Sequence, residues 1–290
     1  MSDALFSLTG AAPLLALARE AGDAILSVYN SPESVAITTK ADDSPLTQAD
    51  LAAHQCIWAG LRAIADLPMI SEESPLPPVE VRRQWQNYWM IDPLDGTKEF
   101  LHRNGEFTVN IALIEAGRPV LGVVHLPVPG ISYLGINSPE SARECWKLTA
   151  AGDARQLRVQ PPDRQQPLRC LGSHRHSSAE QTQLLENLAQ LWPAGIQSMA
   201  AGSSLKLCWL AEGLADIYPR LGPTSEWDTA AAQAVLEAAG GAVIDGEELD
   251  QGRFAPLSYN QRESVLNPWF YALADTSVDW LQLLQSARNL

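Results

Sequence analysis

Trp89-Met90-Ile91-Asp92-Pro93-Leu94-Asp95-Gly96-Thr97-Lys98-Glu99-Phe100 is the stretch on which the reading of this chain turns. An apolar run, readable as a buried strand, ends in two aspartates. Pro93 sets φ and has no N–H to donate. Gly96 supplies the positive φ that a tight turn demands. Such a turn can point both carboxylates and the Leu94 carbonyl toward one spot. Clustered carboxylates repel unless a cation lies between them. All-oxygen donors of this kind suit Mg²⁺. The stretch predicts a magnesium site at a strand end, suited to phosphate chemistry. The competing reading is an ordinary surface turn, because Asp, Pro and Gly are common turn formers.

Two further acidic groups bear on that choice. Ser71-Glu72-Glu73-Ser74 follows Leu67-Pro68-Met69-Ile70, again a short apolar strand ending in acids. Adjacent side chains on an extended segment face opposite ways. Only one of Glu72 and Glu73 can then easily face a given ion, and a solvated acidic pair is the alternative. Trp227-Asp228-Thr229 opens a helical run from Thr229 to Ala239 that stops at Gly240-Gly241. Asp228 fits an N-cap, where its oxygen accepts from free backbone N–H groups. Capping and metal binding need not exclude each other.

The chain has 290 residues, 46% of them hydrophobic, enough for a large core in one or two domains. A net charge of −14 argues against a nucleic-acid polymer as partner. A polyanionic small molecule would have to be neutralised locally, by metal ions and a few well-placed Lys or Arg. The cysteines Cys56, Cys145, Cys170 and Cys208 are scattered, without a zinc or redox motif. Free thiols fit a reducing cytosol. The N-terminus has no secretory pattern, and no apolar run reaches the ~18 residues of a membrane span. A cytoplasmic location is expected, with peripheral attachment to the inner membrane's cytoplasmic face left open. Oligomeric state is not readable.

Periodicity predicts an amphipathic helix through Leu14, Ala18, Ala21, Ile25 and Val28, a strand over 35–39 and a second helix over 47–65. Strands are expected at 107–114 and 120–126 around a Gly117 turn, then at 131–136 and 145–149. Residues 151–167 are polar and proline-rich, and the domain junction is expected there. That gives an α+β domain over 1–157 and an α/β domain over 158–290 carrying Asp228 and substrate-binding segments. In the second half, strands at 168–172 and 215–218 alternate with helices at 181–191, 203–210 and 229–239. Residues 75–81 read as a surface loop. Trp280, Leu283 and Leu284 suggest a terminal amphipathic helix docked on the body.

Taken together, Glu72-Glu73, Asp92-Pro93-Leu94-Asp95-Gly96-Thr97 and Trp227-Asp228 before an Ala-rich helix resemble the inositol monophosphatase superfamily of Mg²⁺-dependent, lithium-sensitive phosphatases. The segments Lys40–Thr47, Asp95–Phe100, Asn104–Leu113 and Gly202-Ser203-Ser204-Leu205-Lys206 look like its bacterial 3′(2′),5′-bisphosphate nucleotidase branch. The resemblance implies a layered αβαβα sandwich of the inositol monophosphatase and fructose-1,6-bisphosphatase type. It also implies two or more Mg²⁺ ions. Asp92 would bridge both, Glu72 and the Leu94 carbonyl would serve the first, and Asp95 and Asp228 the second. Glu73 would orient ligands or water.

Asp50 and Thr97 are the implied pair for activating water, a Thr hydroxyl relaying its proton to a carboxylate. For Asp50 the rival role is local: Thr47-Gln48-Ala49-Asp50 resembles a capping box. Thr97 likewise fits a turn or cap. N–H groups following Gly96 and Thr97 can bind phosphate. A second phosphate calls for another cation, with Lys206 beside Gly202 and Arg220 as candidates. Ser173 and His176, in Ser173-His174-Arg175-His176, are candidates for ribose or phosphate contact. Roles for Arg175 and Asp43 stay open; His54 and His125 are expected to be structural. The expected activity is hydrolysis of adenosine 3′,5′-bisphosphate, a by-product of sulfur assimilation, to AMP, and hydrolysis of its sulfated analogue. An inositol or sugar phosphate phosphatase and a non-catalytic ligand binder are the alternatives.

Overall fold

A computed structural model describes residues 5–31, 37–39, 45–139, 141–172 and 178–290. Lys40, Asp43, Ser173, Arg175 and His176 lie outside the described residues. Helices α1 (Ala12–Tyr29) and α2 (Gln48–Ile64) pack on each other. The short strands β1 (Ile37–Thr39) and β2 (Pro45–Thr47) pair antiparallel between them in the chain. A seven-stranded sheet follows in chain order. Its strands are β3 (Met69–Ser71), β4 (Asn87–Asp95), β5 (Thr108–Glu115), β6 (Arg118–Leu126), β7 (Ile131–Ile136), β8 (Glu144–Leu148) and β9 (Ala154–Gln156). Helix α3 (Val79–Arg82) lies between β3 and β4, and α4 (Thr97–Leu101) follows β4. Among the described residues, the β3–β4 pair is the only parallel one in this sheet.

The second sheet contains β10 (Leu168–Gly172), β11 (Ile196–Ala200), β12 (Ile217–Arg220), β13 (Ala242–Asp245) and β14 (Phe270–Leu273), in the order β11-β10-β12-β14-β13. Its helices are α5 (Ala179–Leu191), α6 (Leu205–Ala211), α7 (Glu226–Ala239), α8 (Gly246–Asp250) and α9 (Trp280–Asn289).

Strand parity sorts these elements into layers. Trp89 and Ile91 of β4, with Ile111 and Leu113 of β5, bury against α1 and α2. Tyr88, Met90, Ala112 and Ile114 face the other way, into a core with α6 and α7. That core also takes Tyr218, Phe270 and Ala272 from the inner face of the second sheet. The sheet's outer residues Cys170, Ile217, Tyr271 and Leu273 pack with Leu184 and Leu188 of α5 and Trp280 and Leu284 of α9. The result is the expected αβαβα sandwich, with α9 docked on the body. Both sheets and α7 bury one common core, while residues 157–167 connect β9 to β10.

The Ala-rich sequence of α7 has a packing cause. A Cβ at Gly122 on β6 would lie 2.2 Å from the Ala231 carbonyl, and one at Gly135 on β7 2.4 Å from that of Ala234. Small residues on both sides let the helix press onto the sheet. This approach brings the start of α7 to the end of β4.

Several expectations need correction. Strand β9 forms inside the segment read as a linker, by pairing with β8. Helix α3 occupies the end of the expected 75–81 loop. Strands β11, β13 and β14 were not foreseen. β14 is buried at every position and so lacks the alternation that marks a half-exposed strand. Helix α7 starts at Glu226, not Thr229; Ser225 is its N-cap and Asp228 its third residue. Among the described residues no helix is long and apolar enough to cross a membrane.

Candidate active site

Asp92 continues the row of β4 residues that faces the core shared with α7, and is 1% exposed. Its Oδ1 accepts from the Leu94 N–H at 3.1 Å, which tightens the turn. Asp92 lies opposite Asn110 and Asp95 opposite Thr108, so β4 carries an extra residue at this bulge. Bulges re-aim side chains, and here the added residue lets Asp95 follow Asp92. Pro93 is tolerated because β3 ends opposite Ile91 and no longer needs an N–H from β4. Gly96, at φ 93°, turns the chain into α4.

Parallel pairing carries Glu72 to the same end of the sheet. Its N–H donates to the Ile91 carbonyl at 3.2 Å. From the other side comes Asp228, whose Oδ2 accepts the Ser225 N–H at 2.8 Å in a capping box. Asp95 is held by the Ser204 N–H on its Oδ2, with Thr108 Oγ1 at 3.4 Å and Asn110 Nδ2 at 3.5 Å.

Four carboxylates from three separate segments thus influence one another. Burial first, then Glu72, Asp95 and Asp228, hold the Asp92 carboxyl far above the ordinary range. Asp228 is raised in the same way by burial and Asp95. Asp95 is pushed up to about 6 by burial, against the opposing pull of Lys206 and the Ser204 bond. As the side chains stand, no three His, Cys, Asp or Glu among the described residues form a group able to hold a metal ion. The two observations agree physically. Electrostatic influence reaches beyond coordination distance, and part of each site's oxygen capacity is turned onto Leu94, Ser204 and Ser225. The donor set itself, carboxylates with a neighbouring backbone carbonyl at Leu94, fits a hard cation such as Mg²⁺.

Asp95, Gly96, Gly202, Lys206, Arg220 and Asp228 line one side or another of a cleft of about 150 Å³, with Tyr218 and Phe270 in its wall. Lys206 is buried. Its Nζ donates to the Ser203 carbonyl at 2.6 Å and the Ala201 carbonyl at 3.3 Å, and lies 5.4 Å from the Tyr218 ring centre. Burial pulls its pKa down to about 8, with Asp95 opposing. Two of its three donors therefore brace the loop that carries Ser204. Arg220 donates through Nη2 to the Pro223 carbonyl at 2.9 Å, whereas its buried Nε has no hydrogen-bond partner. An unspent guanidinium donor beside a cleft suits an anionic group. Gly202 is fastened by its own N–H to Glu106 Oε2 at 2.7 Å.

Asp50 is buried, and its Oδ2 accepts from both Thr47 N and Thr47 Oγ1, at 2.8 and 2.5 Å. The capping box is therefore real. On this oxygen the partner is Thr47, which the local cap holds within reach. Helix α4, with Thr97 at its start, packs against β2, which ends at Thr47. Glu73 sits in the turn after β3, its N–H 3.4 Å from Ser71 Oγ.

His54, expected to be structural, reaches this turn through Ser71 Oγ at 3.0 Å and Ser74 Oγ at 3.5 Å. Sequence reasoning passed over Ser204, whose hydroxyl bonds Thr108 and Asn110 at 2.8 Å each. Its presence in Gly202-Ser203-Ser204 was the available signal. His125 is structural as expected, bonded to Ser132 Oγ at 2.9 Å.

A model of the inositol monophosphatase family matches residues 9–277. The chain belongs to the inositol monophosphatase family. That family consists of metal-dependent phosphatases, generally using Mg²⁺. Within it, the 3′(2′),5′-bisphosphate nucleotidase CysQ of Shigella flexneri is 49% identical over 257 residues, 88% of this chain and 95% of its own length. The protein of the same name from Haemophilus influenzae is 33% identical, over 94% of this chain and 95% of its own. The crystal structure of CysQ from Bacteroides thetaiotaomicron superposes with a TM-score of 0.79 at 36% identity, covering 94% of this chain and all of that one. An inositol monophosphatase from Zymomonas mobilis, 23% identical, shares the fold with a TM-score of 0.70.

Proposed function

We propose that this chain is a 3′(2′),5′-bisphosphate nucleotidase that removes the 3′-phosphate of adenosine 3′,5′-bisphosphate, giving AMP and phosphate. The sulfated analogue would give adenosine 5′-phosphosulfate. The observation that carries this reading is a cleft lined by Asp95 and Asp228 together with Lys206 and Arg220, with Asp92 and Glu72 near enough to interact electrostatically with those acids. The nucleotidases at 49% identity support the substrate class. A division of the chain at 157/158 into two domains places the β4 carboxylates in one and Asp228 in the other.

Asp92 would bridge two Mg²⁺ ions, with Glu72 and the Leu94 carbonyl on one and Asp95 and Asp228 on the other. Bound Mg²⁺ supplies charge neutralisation at phosphoryl oxygens, a lower pKa for water and stabilisation of the leaving oxygen. The chain's residues do the rest. Gly96 and Thr97 present backbone N–H groups at the start of α4 to the scissile phosphate. Lys206 and Arg220 neutralise the phosphate that is not cleaved. Asp50 accepts the proton that Thr97 relays from the attacking water, and Glu73 orients that water. Ser173 and His176 contact the ribose or its phosphate. Li⁺, with half the charge of Mg²⁺ and the same oxygen preference, would compete at the Asp95–Asp228 position. Inhibition no stronger than by equal Na⁺ would exclude that position for Li⁺.

The deciding assay measures phosphate release from adenosine 3′,5′-bisphosphate, inositol 1-phosphate and fructose 1,6-bisphosphate, with Mg²⁺ and with chelator. The expected result is Mg²⁺-dependent turnover and a marked preference for the nucleotide. Equal kcat/KM for nucleotide and inositol substrates would overturn the substrate assignment. Full activity in chelator would overturn the metal reading.

A further inference from the structure

One buried polar network takes no part in that chemistry, and it sits at the root of α7. Arg82, the last residue of α3, is 0% exposed. Its guanidinium donates to Asn260 Oδ1 and to the carbonyls of Arg262 and Glu263. Asn260 returns a bond from Nδ2 to the Arg82 carbonyl at 2.6 Å. The Asn260 N–H lies 2.9 Å from each carboxylate oxygen of Glu226, the first residue of α7. Asn260 holds a left-handed φ of 59°. For a non-glycine residue such a conformation persists where the surroundings impose it. Asn267 adds a second tie, donating to the Ser225 carbonyl at 2.8 Å and to Thr229 Oγ1 at 3.0 Å.

We infer that Arg82, Asn260 and Glu226 form a positioning clamp that sets where Asp228 stands relative to Glu72, Asp92 and Asp95, and so sets the metal affinity of the site. The inference rests on the reading of Asp228 as a Mg²⁺ ligand. Arg82 belongs to the segment that runs from Glu72 to Asp92, and Glu226 lies two residues before Asp228. The clamp therefore ties together the two parts of the chain whose carboxylates repel. Without that tie, like charges would drive the first turn of α7 away from β4. The buried Arg82 charge is balanced by nearby Glu226, and three acceptors fix its direction. Groups that orient metal ligands from behind typically contribute roughly 10–100-fold to metal affinity.

The test is calorimetric titration of metal-free protein with Mg²⁺ alone, alongside melting curves in chelator. Asn260→Gly removes the side-chain bonds while accepting the left-handed backbone; Arg82→Lys keeps charge but loses the fork. Both should bind Mg²⁺ about 10–100-fold more weakly than wild type. Leu284→Ala, on the buried face of α9, controls for lost stability and should bind Mg²⁺ normally. A folded Asn260→Gly or Arg82→Lys with wild-type affinity would overturn the clamp, provided Asp228→Asn binds weakly. An equal loss in Leu284→Ala would overturn it too, reducing the effect to general destabilisation. Wild-type affinity in Asp228→Asn would instead remove the ligand assignment on which the clamp depends.

Discussion

Helices α2 and α7 start with the same local device. Thr47 and Asp50 open one, Ser225 and Asp228 the other, and in each the N-cap N–H donates to the aspartate Oδ2 at 2.8 Å. Beyond the first turn the two differ. Asp50 takes a further bond on the same oxygen from the Thr47 hydroxyl at 2.5 Å. Burial, and then the neighbouring Asp95 and Glu72, raise the Asp228 carboxyl far above the usual range. A carboxylate has two oxygens, so capping consumes only part of its capacity. The cap fixes the side chain; the neighbours delivered by the fold decide what the rest of it can do.

The comparison breaks most sharply under one substitution made at both sites. Asn caps about as well as Asp, so the exchange tests everything except the cap. Asp228→Asn should lower kcat by about a thousandfold or more, the several kcal/mol that metal-held charge supplies in the transition state. Its metal-free melting temperature should hold or rise, because repulsion is relieved. A variant with wild-type kcat would make Asp228 a cap and nothing else. Asp50→Asn should cost about a hundredfold in kcat if Asp50 takes a proton through Thr97. Normal turnover, with stability down by about 1 kcal/mol or less, would leave Asp50 to its helix.

Lys206 sharpens the contrast from the side of Asp95. Lys206→Ala should weaken binding of the nucleotide bisphosphate about tenfold more than that of a simple monoester, the scale of one charge-assisted contact. Equal losses for both ligands would reduce Lys206 to a brace of the Ser204 loop.

The smallest effect is on pH dependence. Asp95 titrates at about 6 in the folded protein, against an ordinary 3.8. The folded state therefore keeps a proton that the unfolded chain has already released. Its contribution to stability is complete below the ordinary value and lost as pH rises through about 6. Metal-free wild type should thus lose a few degrees of melting temperature relative to Asp95→Asn between about pH 4 and 7. Added Mg²⁺ should reverse the slope, since binding needs deprotonated carboxylates. Parallel melting profiles for the two proteins would refute the raised carboxyl.

Much of this was legible in the chain. The Asp92-Pro93-Leu94-Asp95-Gly96 turn, the apolar strands that end in acids, the capping pattern at Thr47 and the helix over 12–29 all follow from residues within a few positions of one another. The start of α7 was misread by one turn because Asp228 can occupy either the cap or the third position of a box, and Ser225 went unweighed. Strand β9 was hidden because an exposed three-residue strand carries no periodicity of its own and exists through its pairing with β8.

The sequence by itself determined the local geometry of each acidic segment and the chemical type of its donors, because turns, caps and strand ends depend on short-range sterics and hydrogen bonds. Only the tertiary structure decided which acids meet. The close approach of α7 at Gly122 and Gly135 brings Asp228 to β4, and the Arg82–Asn260–Glu226 network holds the root of that helix. Ser204 reaches Asp95 from a loop far away in the chain. Such meetings depend on how layers pack and where buried charges find partners, and no short window of sequence contains both sides of them.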